Sequence, residues 1–184
     1  MMNKIAIIDP SLNGGGGVRV LINLLIEIKK LRPNLRIDLF CNVKLLKNFG
    51  YERTLTKGGI HLKHLGPFGL KGRFLRGIDF YHRTVKRQRT DFFHKSIKKA
   101  VEKHCQEYDL AYFFWPMHTM CPELKCPMVA TFHDFCYAYF YGTSTYSIRP
   151  LQLDEMPKWM KSRVVPIVST NFMASELKKL YPFA

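Results

Sequence analysis

Acidic residues are scarce in this chain: 14 Asp and Glu stand against 29 Lys and Arg, a net charge of +15 over 184 residues. The imbalance speaks about partners rather than fold, and points to nucleic acid, an anionic membrane surface or a phosphorylated ligand. Long hydrophobic runs are missing too. The most apolar stretch, Val18 to Ile28, is broken by Arg19, Asn23 and Glu27 and is too short to span a bilayer. No signal peptide is expected either, because Met-Met-Asn-Lys leads straight into an apolar run ending in Asp9-Pro10, which suggests a cytoplasmic location. The five cysteines, Cys41, Cys105, Cys121, Cys126 and Cys136, are odd in number and form no CxxC pair, which suits a reducing compartment better than a disulfide framework. The spacing of His118, Cys121, Cys126 and His133 matches no common zinc module, so no metal is expected.

Two nucleotide-binding signatures are lacking as well. Reading Gly14-x-Gly16 as a dinucleotide fingerprint puts Arg19 where the third glycine belongs, and the second strand would end in Cys41-Asn42 rather than in an acid. No Gly-Lys-Ser/Thr follows the glycines, which excludes a Walker loop. Zinc-finger spacing, an RNP aromatic motif and a KH loop are all missing, so charge alone would support nucleic acid, and that partner is disfavoured.

What the chain does have begins with Lys4-Ile-Ala-Ile-Ile-Asp9, the glycine run Gly14 to Gly17, and apolar residues at Val18, Leu21, Ile22, Leu25 and Ile28. That is strand, loop and helix, the opening unit of an open α/β sheet. Glycines there let a ligand approach backbone N–H groups at a helix N-terminus, although a plain surface loop would read the same way. Further strands are expected at 36–41, 60–65, 108–116, 126–134 and 164–168, the last on an edge because of Pro166. Helices are expected at 43–49, in two pieces within 68–105, at 149–163 with an interruption at Pro157, and after a cap at Thr170 or Asn171. The segment 135–146 reads as a loop. The expected fold is one Rossmann-like domain over 1–184, a mainly parallel sheet with helices on both faces. In such a sheet the glycine loop and His133-Asp134 share the carboxyl edge, where ligands bind.

Residues 57–103 hold thirteen Lys or Arg and three acids. One helical piece carries Phe74, Ile78, Tyr81 and Val85, the other Phe93, Ile97, Ala100 and Val101. Such a stripe is either core or the apolar half of a surface that meets anionic lipid through Arg73, Phe74, Arg76, Lys86, Arg87 and Arg89.

The ordered set of strand, glycine loop and helix, then Pro127-Met-Val-Ala-Thr-Phe-His-Asp134, then Lys161-Ser-Arg-Val-Val-Pro-Ile-Val-Ser169 leading to Glu176-Leu177, resembles the N-terminal half of a retaining GT-B glycosyltransferase of family 4. The resemblance implies an acceptor-side domain that works with its own C-terminal, donor-binding domain, absent from this chain, so that the fragment alone would be inactive. It implies a nucleotide-sugar donor as substrate, with no cofactor, and a glycan or lipid-linked acceptor in cell-surface polysaccharide or lipopolysaccharide synthesis. It further implies that His133 lies beside the transferred sugar, and that Gly15, Gly16, Gly17, Asp134 and Ser169 line the donor and acceptor cleft. The location would be cytoplasmic, peripheral on the inner face of the membrane. The reading that stands against it is a basic domain that binds anionic polymer or membrane without catalysis.

Overall fold

The computed structural model describes residues 2–10, 16–116, 119–139 and 149–182. Six strands, β1 (Lys4–Asp9), β2 (Arg36–Cys41), β3 (Ile60–His64), β4 (Leu110–Phe113), β5 (Met128–Phe132) and β6 (Val164–Val168), form one sheet in the order β3-β2-β1-β4-β5-β6. Every pairing is parallel. The expected α/β fold is therefore present, with β6 and its Pro166 on the edge.

The strands alternate their side chains between two cores, because successive residues of a strand face opposite ways. Ile5 and Ile7 of β1 point to one face, where Val18, Leu21, Ile22 and Leu25 of α1 (Gly16–Leu31), Leu46 of α2 (Val43–Asn48) and Leu55 of α3 (Tyr51–Lys57) cover them. Ala6 and Ile8 point to the other. There they meet the cluster built by Phe93, Ile97 and Val101 of α5 (Phe92–His104), Met156, Trp159 and Met160 of α7 (Arg149–Lys161), and Leu177 of α8 (Asn171–Leu180). Each of the fully buried aliphatic side chains contributes about 1.5–3 kcal/mol relative to exposure, so the two-sided burial of β1 anchors the sheet.

Helix α4 (Leu70–Thr84) is joined to α5 by an acid rather than by its aromatic stripe. Asp79 is buried, and accepts hydrogen bonds from Thr90 Oγ1 at 2.6 Å and from the N–H groups of Phe92 and Phe93 at 2.7 and 2.9 Å. The first N–H groups of a helix have no partner inside it. Asp79 supplies one from outside, while Asp91, at the cap position with φ 52°, makes no side-chain cap bond. Gly72 permits the approach: a Cβ there would sit 1.8 Å from the Pro67 carbonyl oxygen. Consequently Phe74, Tyr81 and Val85 are exposed, and the stripe read from the sequence is not the core face of α4. In α5 it is the core face, through Phe93, Ile97 and Val101.

Three local expectations are corrected. A short helix, α6 (Cys136–Tyr139), occupies the start of the segment read as a loop, and 140–148 lie outside the described residues. Helix α7 runs through Pro157 without interruption; the carbonyl that loses its donor there belongs to Leu153, an exposed residue on the solvent side of the helix. Helix α3 was not expected at all, since Leu55 is its one fully buried side chain and leaves no periodic signal. Thr170 is the cap of α8, its Oγ1 accepting the Met173 N–H at 3.1 Å.

Candidate functional site

Because all strands are parallel, their carboxyl ends lie on one rim. β1 ends there at Asp9, β4 at Phe113, β5 at Phe132 and β6 at Val168. The chain leaves β1 for β2 by way of α1 on one face, and returns from β3 to β4 by way of α4 and α5, with α5 on the other face. β1 and β4 are therefore neighbours whose connections diverge, and a crevice opens between such strands.

Helix α1 starts at this rim. Its first turn contains Gly16 and Gly17 and no acid, and the positive end of a helix dipole favours an anion there. A Cβ on Gly17 would meet nothing within 4 Å, so the chain's own packing does not demand glycine at that position. Gly15 lies outside the described residues.

His133 follows β5 directly and is half-buried. Its Nε2 lies 3.0 Å from the Phe114 carbonyl oxygen. A carbonyl can only accept, so Nε2 carries a proton, and in the neutral form of the ring the lone pair is then at Nδ1. Phe114 in turn donates its N–H to the Ile8 carbonyl at 3.2 Å. Two hydrogen bonds thus connect β1, the end of β4 and the imidazole across the rim. The ring is further clamped by Trp115, stacked with centroids 4.6 Å apart, and by the edge of Phe114 at 4.8 Å. Asp134 is half-buried beside it, and Ser169 is exposed at the same rim past β6. Thr131, one turn of the pleat before His133, is buried and shares a 2.6 Å hydrogen bond with the Tyr112 hydroxyl.

The geometry brings Gly16, Gly17, His133, Asp134 and Ser169 to one edge of the sheet. Sequence reasoning did not single out Trp115 or the Phe114 carbonyl, which orient the histidine from a separate strand and leave no local pattern. The aromatic run Tyr112-Phe-Phe-Trp115 ahead of Pro116 was the available signal.

Asp38 is fully buried at the amino half of β2, held by Arg36 Nε at 3.0 Å and by the Tyr108 hydroxyl at 2.6 Å. Burial pushes its carboxyl up, but the Arg36 and Tyr108 hydrogen bonds outweigh that and hold it below the usual range. Burial pushes the Cys41 thiol well up, aided by the Asp9 carboxylate, pushes Cys105 up to about 12 and Cys121 up to about 11. None of these is a thiolate nucleophile at neutral pH. Among the described residues no group of three or more His, Cys, Asp or Glu could hold a metal ion, and no helix is long and apolar enough to cross a membrane.

Of the residues expected at a lipid surface, Arg73 and Phe74 are exposed on α4, while Arg76 turns toward α5, its guanidinium 4.3 Å over the Phe93 ring. Lys86 and Arg87 are exposed in the connector to α5. Arg89 does not join them: it pairs with Asp91 and with Asp154 of α7, so its charge braces the connector. No protein-family model matches this chain, and no curated protein matches it.

Proposed function

We propose that this domain forms the acceptor side of a retaining GT-B sugar transferase, which moves a sugar from a nucleotide-sugar to a glycan or lipid-linked hydroxyl in cell-surface polysaccharide or lipopolysaccharide synthesis. The observation that carries the reading is the His133 imidazole, fixed with its proton on Nε2 at the same rim as the α1 N-terminus. The family resemblance of the ordered motifs supports it, and the donor-binding contacts would come from a second domain of the kind that resemblance implies.

In this reading the bond between the sugar's anomeric carbon and the donor diphosphate breaks. A new bond forms on the same face to the acceptor oxygen, and the acceptor's proton leaves with the departing diphosphate. His133 Nδ1 accepts a hydrogen bond from a hydroxyl and so fixes its angle of approach. The N–H groups of Gly16 and Gly17 face developing negative charge, which is where preorganised donors lower a barrier. Asp134 and Ser169 line the cleft. The place of action is the cytoplasmic face of a membrane.

The test is transfer of labelled sugar from nucleotide-sugars to membrane-derived acceptor by the protein as encoded, with His133→Ala alongside. The variant is expected to keep its circular dichroism spectrum and to lose activity by about a hundredfold. Transfer at the wild-type rate by a folded His133→Ala protein would overturn the assignment. A second reading, a non-catalytic basic binding domain, is favoured by the exposed apolar stripe of α4; it predicts no sugar transfer with any donor.

A further inference from the structure

Helix α4 exposes an apolar stripe that nothing in the described chain covers. Leu70, Phe74, Tyr81 and Val85 are 84, 68, 49 and 62% exposed, with Ile78 half-buried between them. At 3.6 residues per turn these five positions fall within about 80° of arc. The opposite side, Gly72, Leu75 and Asp79, faces Pro67 and α5. A helix normally turns such a stripe inward. Here the buried acid and the glycine occupy the inner side, and the stripe faces out.

Charge surrounds the stripe. Arg73 borders the stripe on one flank, while Arg76 and Arg83 fall on the far side of the helix, Arg76 over the Phe93 ring of α5. On the other flank, Lys71 joins Lys95, Lys98 and Lys99 along a groove of about 880 Å³ between α4 and α5. Acids offset part of this charge: Asp91 pairs with Arg89, and Glu102 and Glu123, both lining the groove, lie against Lys98. Asp79 and Asp91 are buried, and Glu102 is held 3.5 Å from Lys98. Lys71, Arg73, Lys86, Arg87, Lys95 and Lys99 are exposed.

We propose that α4 docks in the plane of an anionic lipid bilayer, with Leu70, Phe74, Ile78, Tyr81 and Val85 in the interface and the flanking Lys and Arg on lipid phosphates. An apolar stripe between cations fits the boundary between acyl chains and anionic headgroups, where both are satisfied at once. A second copy of this chain would bring two strongly basic surfaces together. A nucleic acid would use the cations and leave the stripe wet. Helix α4 follows β3 through residues 65–69, so its first turn lies toward the rim that carries His133. The inference does not depend on sugar transfer, since it stands on exposure and charge alone.

The experiment is co-sedimentation of the chain with vesicles of phosphatidylcholine alone and of phosphatidylcholine mixed with phosphatidylglycerol. Binding is expected to the mixed vesicles only and to weaken as salt rises. Phe74→Ser, at an exposed position, is expected to leave the melting temperature unchanged and to weaken vesicle binding by about tenfold. Phe74→Trp should show a blue shift of emission on mixed vesicles. Equal binding to both vesicle types, binding indifferent to Phe74→Ser, or an emission maximum that stays at its solvent position would each overturn the proposal. Oligonucleotide binding that Phe74→Ser leaves intact, together with no vesicle binding, would assign the charge to nucleic acid instead. Dimerisation abolished by Phe74→Ser would assign the stripe to a second copy.

Discussion

Trp115 lies flat against His133, the two rings 17° from parallel and 4.6 Å apart between centroids. The indole covers one side of the imidazole while the Phe114 carbonyl accepts from its edge at Nε2, so the ring is held at a face and at an edge. Such a clamp is what a positioning role at a sheet rim requires.

Removing the indole should loosen that clamp. In Trp115→Ala the His133 ring is expected to react with diethylpyrocarbonate several-fold faster than in the parent, read by mass spectrometry of the peptide that contains it. An unchanged rate at that peptide would mean the stacking does not shield the ring.

Asp79 ties α4 to α5 by three hydrogen bonds, and Asp79→Ala is expected to cost about 2–3 kcal/mol in urea unfolding. Burial pushes this carboxyl up, while the Phe93 N–H, the Thr90 hydroxyl and the Phe92 N–H outweigh it, leaving it below the ordinary 3.8. A carboxyl lowered on folding stabilises fully above its unfolded value, and that contribution is lost as pH falls through the folded one. The stability gap between parent and variant should therefore be constant near neutrality and shrink below about pH 4. A gap that widened in acid would refute the assignment.

Two glycines of one helix should respond with opposite signs. Gly72→Ala puts a methyl against the Pro67 carbonyl and is expected to destabilise by about 1–3 kcal/mol or more. Gly77→Ala meets nothing within 4 Å and should stabilise by about 0.5–1 kcal/mol through helix propensity. Chemical denaturation of both variants checks the pair.

Tyr108→Phe removes the hydroxyl that donates to buried Asp38 and leaves Arg36 as its remaining side-chain donor. The expected loss is about 1–2 kcal/mol of unfolding free energy, read by urea denaturation. The site lies at the amino half of β2, away from the rim, so ligand binding at the rim should not change.

Strands were readable from the sequence because a parallel sheet buried on both faces leaves short apolar runs, as in Lys4–Asp9 and Met128–Phe132. The common rim of the α1 start at Gly16 and of His133 followed from that order alone. Helix α3 escaped because a single buried leucine has no period, and the inner face of α4 escaped because it is made of a glycine and an acid. Hydrophobic spacing reports apolar burial, so it could find the stripe of α4 but not which way the stripe would turn. The partners of His133 were equally invisible: Phe114 and Trp115 reach it from the end of another strand.

Pro166 sits in the middle of β6, the outermost strand, whose Val165 and Ile167 are exposed. An uncapped border of this kind invites strands from other molecules to zipper on and grow into fibres. A pyrrolidine ring at its centre interrupts the row of donors that such growth would need. Pro166→Val would restore that donor, and faster aggregation of the variant than of the parent is the consequence expected of an edge left open.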